Sequence, residues 1–117
     1  MLIQVQVPKL LKAPPAPGVR AQVEAMVRRA SPLGAAAAVR GMALRPDSRD
    51  VLARFAGPAL VLVGEHDVVT PRSKAEELAG LLQDAALAEI PGAGHLPNLE
   101  NPQAFNDALG TFLEALG

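Results

Sequence analysis

The chain has 117 residues, of which half are hydrophobic and a fifth are charged, and its net charge is -1 at pH 7. These values predict one small domain with a packed core. The balanced charge and the lack of Trp and Tyr disfavour nucleic-acid binding, which depends on clustered cations and stacking rings. Because there is no cysteine, disulfides, thiolate nucleophiles and thiolate metal sites are excluded.

Membrane and export signals are also missing from the sequence pattern. No apolar run is long enough to span a bilayer, and no cationic segment precedes the apolar residues at the start of the chain. We therefore expect a cytoplasmic protein without a membrane partner.

The first region, residues 1–18, is predicted to be a strand-like segment followed by a linker. Ile3, Val5 and Val7 alternate with glutamines, which is the period-two pattern of a half-buried strand over residues 2–7. Residues 12–18 contain three prolines and a glycine, a composition typical of a linker.

The second region, residues 19–56, is predicted to be helical. Apolar residues recur at helical spacing over residues 19–30, and an alanine-rich stretch favours a second helix over residues 34–44. Ser31 is a candidate N-cap for this second helix. Asp47 and Ser48 are candidate caps for a shorter helix that ends at residue 55.

The third region, residues 57–117, is predicted to run strand, helix, strand, helix. Residues 59–63 are apolar throughout, which is typical of a parallel strand covered on both faces, and residues 86–90 form the second strand. The intervening helix begins after Thr70-Pro71. The last helix begins at Pro102. The expected fold class is therefore α/β, with a parallel sheet.

Each helix of this region has an expected apolar stripe. The first consists of Ala75, Leu78, Ala79 and Leu82, and the second of Phe105, Leu109, Phe112, Leu113 and Leu116. Ser73 and Glu76 are a possible capping box for the first helix.

Two candidate catalytic residues follow the two predicted strands. Asp67 lies four residues after Val63, and His95 lies five residues after Ile90. The carboxyl ends of adjacent parallel strands meet at one edge of a sheet, so we expect Asp67 to accept a hydrogen bond from His95. Such a carboxylate fixes the imidazole tautomer and stabilises the imidazolium during proton transfer. Glycines at positions 64, 92 and 94 permit the tight loops that this convergence needs.

The stretch from Ala43 to Leu116 resembles the C-terminal part of the α/β-hydrolase superfamily. The matching motifs are Arg45-Pro46-Asp47-Ser48, Pro58 to Asp67, Thr70-Pro71 and Gly92 to Pro102. In that family G-x-x-D supplies an acid, a G-H loop supplies a base, and E-x-P begins the final helix. The resemblance therefore implies that Asp67 and His95 belong to a Ser-His-Asp triad.

The resemblance also implies the architecture and the branch of the family. The expected fold is the C-terminal βαβα portion of the hydrolase sheet, preceded by two or three helices similar to the rear of the cap. The motifs are most similar to those of small esterases and 3-oxoadipate enol-lactonase-like enzymes, whose substrates are carboxylic esters or lactones.

The nucleophile of that family is missing from the sequence. Family members carry a serine in a G-x-S-x-G turn that precedes the acid and the histidine. None of Ser31, Ser48 and Ser73 has the flanking glycines. Loss of the nucleophile costs about a millionfold in turnover, so we expect no activity from the chain alone, and whether it acts as an enzyme depends on a serine from elsewhere.

Two other polar residues of the motifs have structural interpretations. His66 occupies a variable position and is expected to face solvent, whereas Glu100 is expected to accept hydrogen bonds near the start of the last helix. The spacing of His66, Asp67 and His95 matches no zinc motif, and we expect neither a metal nor a cofactor.

A sheet of two strands leaves an apolar edge open to pairing. We expect an N-terminal hydrolase half or a second copy of the chain to cover it, with residues 1–7 as a candidate edge strand in a homo-oligomer. The primary hypothesis is thus a hydrolase fragment. The alternatives are a non-catalytic oligomerising module derived from a hydrolase, and half of a hydrolase-fold small-molecule receptor.

Overall fold

The computed structural model describes residue 4 and residues 6–117. Ahead of the sheet, the described residues include the helices α1 (Val7–Leu10), α2 (Val19–Arg29), α3 (Pro32–Leu44) and α4 (Arg49–Arg54). The remaining elements are β1 (Pro58–Gly64), α5 (Arg72–Leu81), β2 (Asp84–Ile90), α6 (Pro97–Glu100) and α7 (Pro102–Ala115). None of the helices in this described part is long and apolar enough to cross a membrane.

The sheet pairs β1 with β2 in parallel, from Pro58 opposite Asp84 to Gly64 opposite Ile90. Helix α5 connects the two strands and packs against both, and α7 also contacts both. This order confirms the predicted α/β class and the strand–helix–strand–helix arrangement. The carboxyl ends of both strands lie at one edge of the sheet, where Gly64 and Ile90 lead into the two loops of interest.

A compact apolar cluster joins the start of the chain to the loop that follows β2. Its buried members are Val7, Leu11, Val19 and Val23, and partly buried leucines at positions 10, 96 and 99 pack against them. Burial of apolar side chains contributes about 25 cal/mol for each Å² removed from water. The N-terminal segment therefore packs against the loop that carries His95.

The strand predicted over residues 2–7 is wrong where the structure describes it. Gln4 has a helical backbone and Val7 begins α1, whereas residues 2, 3 and 5 lie outside the described residues. Pro8 fits the first turn of α1 because the amide of that position has no intrahelical acceptor to lose. Val7 and Leu11 are four residues apart and both buried, so helical periodicity outweighs the short alternation.

The predicted helix caps are confirmed in part. Ser31 Oγ accepts a hydrogen bond of 3.2 Å from the Gly34 amide, as expected for an N-cap. Asp47 rather than Ser48 caps α4, since Asp47 Oδ1 accepts from the Arg49 amide at 3.0 Å and Ser48 makes no side-chain cap bond. The capping box in α5 is wrong, because Pro71 holds the N-cap position and Ser73 lies inside the helix.

The apolar stripes of the later helices are only partly covered. Ala75 is buried, but 42% of Leu78 and 55% of Leu113 remain exposed, and α3 has no buried residue at all. Two strands present too narrow a surface to cover these helices. Single exposed apolar residues are ordinary, but an exposed set on α3, α5 and α7 leaves an extended apolar surface.

Gly64 permits the closest approach between the two loops. A Cβ atom at this position would overlap the carbonyl oxygen of Gly94 and crowd the Ala93 carbonyl group. These obstructing atoms belong to the backbone and cannot rotate away. A side chain at position 64 would therefore push the histidine loop away from the loop that carries Asp67.

We predict that Gly64→Ala destabilises the fold by about 3 kcal/mol or more, because the clash forces a backbone shift in a packed region. Gly110→Ala is the matched control, since its Cβ meets nothing within 4 Å inside α7. That control should be stabilising by about 0.5–1 kcal/mol through helix propensity. Urea unfolding followed by circular dichroism measures both, and equal stabilities would contradict the steric argument.

Candidate active site

The Asp67 side chain caps the turn that follows it on the loop after β1. Its Oδ1 accepts hydrogen bonds from the amides of Val69 at 2.9 Å and Thr70 at 3.0 Å. The second oxygen, Oδ2, accepts from the Thr70 hydroxyl at 3.2 Å. Asp67 therefore caps a turn, and its Oδ2 also contacts a second partner.

That partner is His95. The distance between His95 Nδ1 and Asp67 Oδ2 is 3.0 Å, and the Asp67 side chain is only 5% exposed against 32% for the imidazole. The convergence of the two residues expected from the strand order is thus present in the structure. The buried carboxylate orients a ring that solvent can still reach.

The acid loop and the histidine loop are also joined through their backbones. The Glu65 amide donates to the Ile90 carbonyl at 3.0 Å, and the His66 amide donates to the Ala93 carbonyl at 2.8 Å. These bonds continue the pairing of β1 with β2 beyond the ends of the strands. The Asp67–His95 pair therefore lies on an extension of the sheet.

Glu100 holds the backbone on both sides of His95. One of its oxygens, Oε2, accepts from the amides of Gly94 at 2.8 Å and Leu96 at 3.1 Å. The other oxygen, Oε1, accepts from the Lys12 amide. We call this set of three bonds the Glu100 clamp. It confirms the expected role of Glu100 as an acceptor and adds the N-terminal segment, which the sequence did not indicate.

The backbone of His95 makes a further contact next to the Glu100 clamp. The His95 amide donates to the Leu10 carbonyl at 2.7 Å. Three consecutive amides, at positions 94 to 96, therefore have acceptors outside the loop. Gly94 is required here, because a Cβ would lie within 3.0 Å of backbone atoms of residues 10 to 12.

The local environment favours the ionised form of Asp67. Burial by itself raises the pKa of the carboxyl group. The His95 hydrogen bond and the Thr70 and Val69 amides oppose that effect and hold the pKa below its ordinary value of 3.8. At neutral pH the site therefore contains a carboxylate that can stabilise a protonated imidazole.

An open cleft of about 460 Å³ begins at Asp67 and continues between β1 and α5. Val61, Val63, Leu78 and Leu81 form its apolar part, and Asp67 and Thr70 lie at its polar end. Among the described residues β1 pairs only with β2, so the other edge of β1 has no strand beside it. Asp67 thus lies beside the unpaired edge of β1.

The remaining sequence candidates lie outside this arrangement. His66 is exposed and its Nε2 lies 2.9 Å from Glu65 Oε1, in agreement with the solvent-facing position expected for it. Ser31 and Ser73 belong to the helices described above. Within residues 6–117, no three His, Asp or Glu side chains converge as a metal site would require.

The sequence did not single out two contributors to the site. Thr70 was predicted only as part of a helix start, although a hydroxyl three residues after an aspartate is a recognisable capping signal. The Leu10 carbonyl and the Lys12 amide contact His95 and Glu100 respectively, more than 80 residues further along the chain. The N-terminal segment contributes only main-chain atoms to these contacts, so no local side-chain pattern could have indicated its part.

Comparison with known proteins matches residues 5–108 to a family described as Alpha/beta hydrolase family. A pimeloyl-[acyl-carrier protein] methyl ester esterase from Chromobacterium violaceum is 39% identical over 74 residues, which cover 63% of this chain and 29% of that protein. The chain thus spans less than a third of the length of that relative.

Solved structures agree with this match. The structure of a thermophilic esterase from Thermogutta terrifontis superposes with a TM-score of 0.92 at 35% identity, over 97% of this chain and 43% of the other. A serine hydrolase involved in carbazole degradation superposes with a TM-score of 0.77 over 97% of this chain, and at 22% identity it supports the fold alone.

We predict that Asp67→Asn weakens the acid dependence of stability. A carboxyl group with a lowered pKa in the fold stabilises it above the unfolded value, and this contribution is lost as the pH falls through the folded pKa. The free energy of unfolding of the wild type should therefore drop more steeply below about pH 4 than that of the variant. Urea titrations across this range measure it, with exposed Asp84→Asn as the control; parallel profiles for all three proteins would contradict the prediction.

We predict that Glu100→Gln costs about 1–3 kcal/mol of stability. An amide has a single acceptor oxygen, so one side of the clamp then faces an NH₂ donor instead of an acceptor. Exposed Glu114→Gln on α7 is the matched control and should change stability by less than about 0.5 kcal/mol. Thermal and urea unfolding measure both variants. A Glu100→Gln protein as stable as this control would show that the clamp does not hold the loop.

Proposed function

The chain belongs to the α/β-hydrolase family, and from this we propose that it supplies the acid and the base for hydrolysis of carboxylic esters. The single observation that carries the proposal is the 3.0 Å contact between His95 Nδ1 and the buried Asp67 Oδ2. Proton transfer at a serine hydroxyl requires this pairing of a neutral imidazole with an oriented carboxylate. The esterase relatives support an ester substrate, and a lactone is the cyclic form of the same bond.

In the proposed reaction His95 acts through Nε2, the nitrogen that faces away from Asp67. It removes the proton from a serine hydroxyl while the serine oxygen attacks the ester carbonyl. The tetrahedral intermediate then expels the alcohol, which takes that proton from Nε2. Water repeats the sequence on the acyl-serine, so that a carboxylic acid leaves and the serine recovers its proton. Asp67 stabilises the imidazolium in both halves without itself taking the proton.

The serine in this proposal is not among the 117 residues of this chain. The chain superposes on only 43% of the T. terrifontis esterase, and none of its own serines lies in a G-x-S-x-G turn. The serine therefore comes from a further part of a longer chain or from a second polypeptide. In either case the serine-bearing half is the partner that the site needs.

The open side of the sheet is the surface we assign to that half. The free edge of β1, the apolar cleft beside it and the exposed face of α5 are continuous with Asp67. A parallel strand placed along β1 would satisfy its unpaired backbone groups and cover Leu78. A second copy of this chain would compete for the same edge.

We predict that ester hydrolysis appears only on reconstitution. The chain alone should not cleave p-nitrophenyl acetate. Mixing it with the part of the T. terrifontis esterase that it does not overlay should give turnover, measured by absorbance after co-purification. Asp67→Asn should then lower kcat by about 10⁴, and His95→Gln should reduce it to background. His66→Gln is the control and should leave the rate unchanged, because His66 lies outside the pair.

Light scattering separates the possible failures of this experiment. A co-purified complex without turnover would contradict the proposed catalysis and favour a non-catalytic interaction module. If this chain forms a stable dimer that does not bind the serine-bearing half, the proposal of that half as the partner is wrong. Hydrolysis by the purified chain alone would contradict the need for a second half.

A further inference from the structure

Thr70 places its hydroxyl against both members of the acid–base pair. The distances are 3.2 Å from Thr70 Oγ1 to Asp67 Oδ2 and 3.3 Å from Thr70 Oγ1 to His95 Nδ1. With the 3.0 Å contact between Nδ1 and Oδ2, the three atoms form a nearly equilateral triangle. A rotatable hydroxyl therefore shares the one contact on which the orientation of the imidazole depends.

The hydrogens available to this triangle select one arrangement. The hydroxyl carries one hydrogen, a neutral imidazole carries one hydrogen on either ring nitrogen, and the ionised carboxylate carries none. If both Oγ1 and Nδ1 donate to Oδ2, each hydrogen has an acceptor. If the hydroxyl turns to donate to Nδ1 instead, two acceptors face each other at 3.0 Å and Oδ2 loses its donors. The first arrangement is therefore favoured.

In this arrangement both oxygens of the Asp67 carboxylate accept two hydrogen bonds each. Oδ1 accepts two amide hydrogens from positions 69 and 70, and Oδ2 accepts one hydrogen from the hydroxyl and one from the imidazole. A carboxylate has about four lone-pair sites, so no site remains to favour a rotated position. Two of these four donors, the amide and the hydroxyl, belong to Thr70, which makes residue 70 the main support of the acid.

We propose that Thr70 is a positioning residue for the acid–base pair, because its hydroxyl donates to the Asp67 oxygen that faces His95 and so fixes the plane of the carboxylate. The consequence for catalysis rests on the proposed function: a carboxylate held in this plane keeps the imidazole hydrogen on Nδ1 and leaves Nε2 as the acceptor for the serine proton. Thr70 is not itself the nucleophile, since its oxygen lies beside Nδ1 and not beside Nε2.

The side chain of Thr70 offers a clean pair of variants. Thr70→Val keeps the shape and the backbone amide, which still donates to Oδ1, and removes only the hydroxyl. Thr70→Ser keeps the hydroxyl and removes a methyl group. Because residue 70 is exposed, neither change disturbs a packed core. Thr70→Ala is a second hydroxyl-free variant in case valine alters the circular dichroism spectrum.

The test uses the isolated chain and proton–nitrogen NMR of the His95 ring, in which the exchange of the Nδ1 hydrogen with water reports how firmly Asp67 holds it. In Thr70→Val this exchange should be about fivefold faster than in the wild type, as expected for the loss of one hydrogen bond that holds the carboxylate. Thr70→Ser should restore the wild-type exchange rate. An unchanged rate in the folded variants without a hydroxyl, or an increase in Thr70→Ser equal to that in Thr70→Val, would overturn the proposal.

A carboxyl titration of Asp67 by carbon NMR gives an independent readout. Removal of a donor to the ionised form should raise the pKa of Asp67 in Thr70→Val and leave it at the wild-type value in Thr70→Ser. The other charged groups on the same loop and cleft stay unchanged in every variant; they are Glu65, His66, Arg45, Arg49, Lys74 and Glu77. A pKa that does not move on loss of the hydroxyl would overturn the assignment.

Kinetics in the reconstituted hydrolase then connect position to catalysis. Thr70→Val should lower kcat about fivefold without changing KM, since the position of the acid affects proton transfer and not substrate binding. The NMR arms need no turnover. If reconstitution yields no hydrolysis but the exchange rate and the pKa of Asp67 change, the proposed function fails and the positioning role of Thr70 stands.

Discussion

The buried carboxylate of Glu100 is the contact on which the arrangement of the site depends. From its place in α6 it joins the segment just after α1 to the histidine loop, which lies much later in the chain. A carboxylate with this little exposure is tolerated only when its oxygens are occupied by donors. Each donor is a backbone amide, so the acid fixes the path of the chain rather than the rotamer of a neighbour. The position of His95 follows from that path.

Close backbone packing adds a second constraint. Gly64 lets the Gly94 carbonyl approach the end of β1, and Gly94 in turn lets the N-terminal segment cross the histidine loop. Three layers of main chain therefore lie in contact within a few residues of the Asp67–His95 pair. Side chains at either glycine would separate layers that the hydrogen bonds of Glu100 and His66 hold together. The two loops behave as one unit for this steric reason.

The sequence predicted much of the fold from residue 57 onward, because the strands are short apolar runs and the helices have clear beginnings. The pairing of Asp67 with His95 was equally accessible, since parallel strand order alone brings their loops to one edge of the sheet. The alternation that suggested a strand over residues 2–7 misled at Val7, which begins α1, because so short a pattern does not distinguish a strand from a helix. Ser48 and Ser73 misled because adjacent residues took the capping positions. The contacts of Leu10 and Lys12 were beyond prediction, as a main-chain carbonyl or amide looks the same at every position.

That last property has a consequence for sequence variation. Leu10 and Lys12 contribute only main-chain atoms, a carbonyl that accepts from the His95 amide and an amide that donates to the Glu100 carboxylate. The side chain at position 12 is therefore free to change in size and charge without loosening these bonds. Proline is the exception, because it would remove the hydrogen that Lys12 gives to Glu100. Chains can therefore diverge widely at position 12 and still hold the histidine in place, provided that position 12 keeps its amide hydrogen, position 94 stays glycine and position 100 keeps its carboxylate.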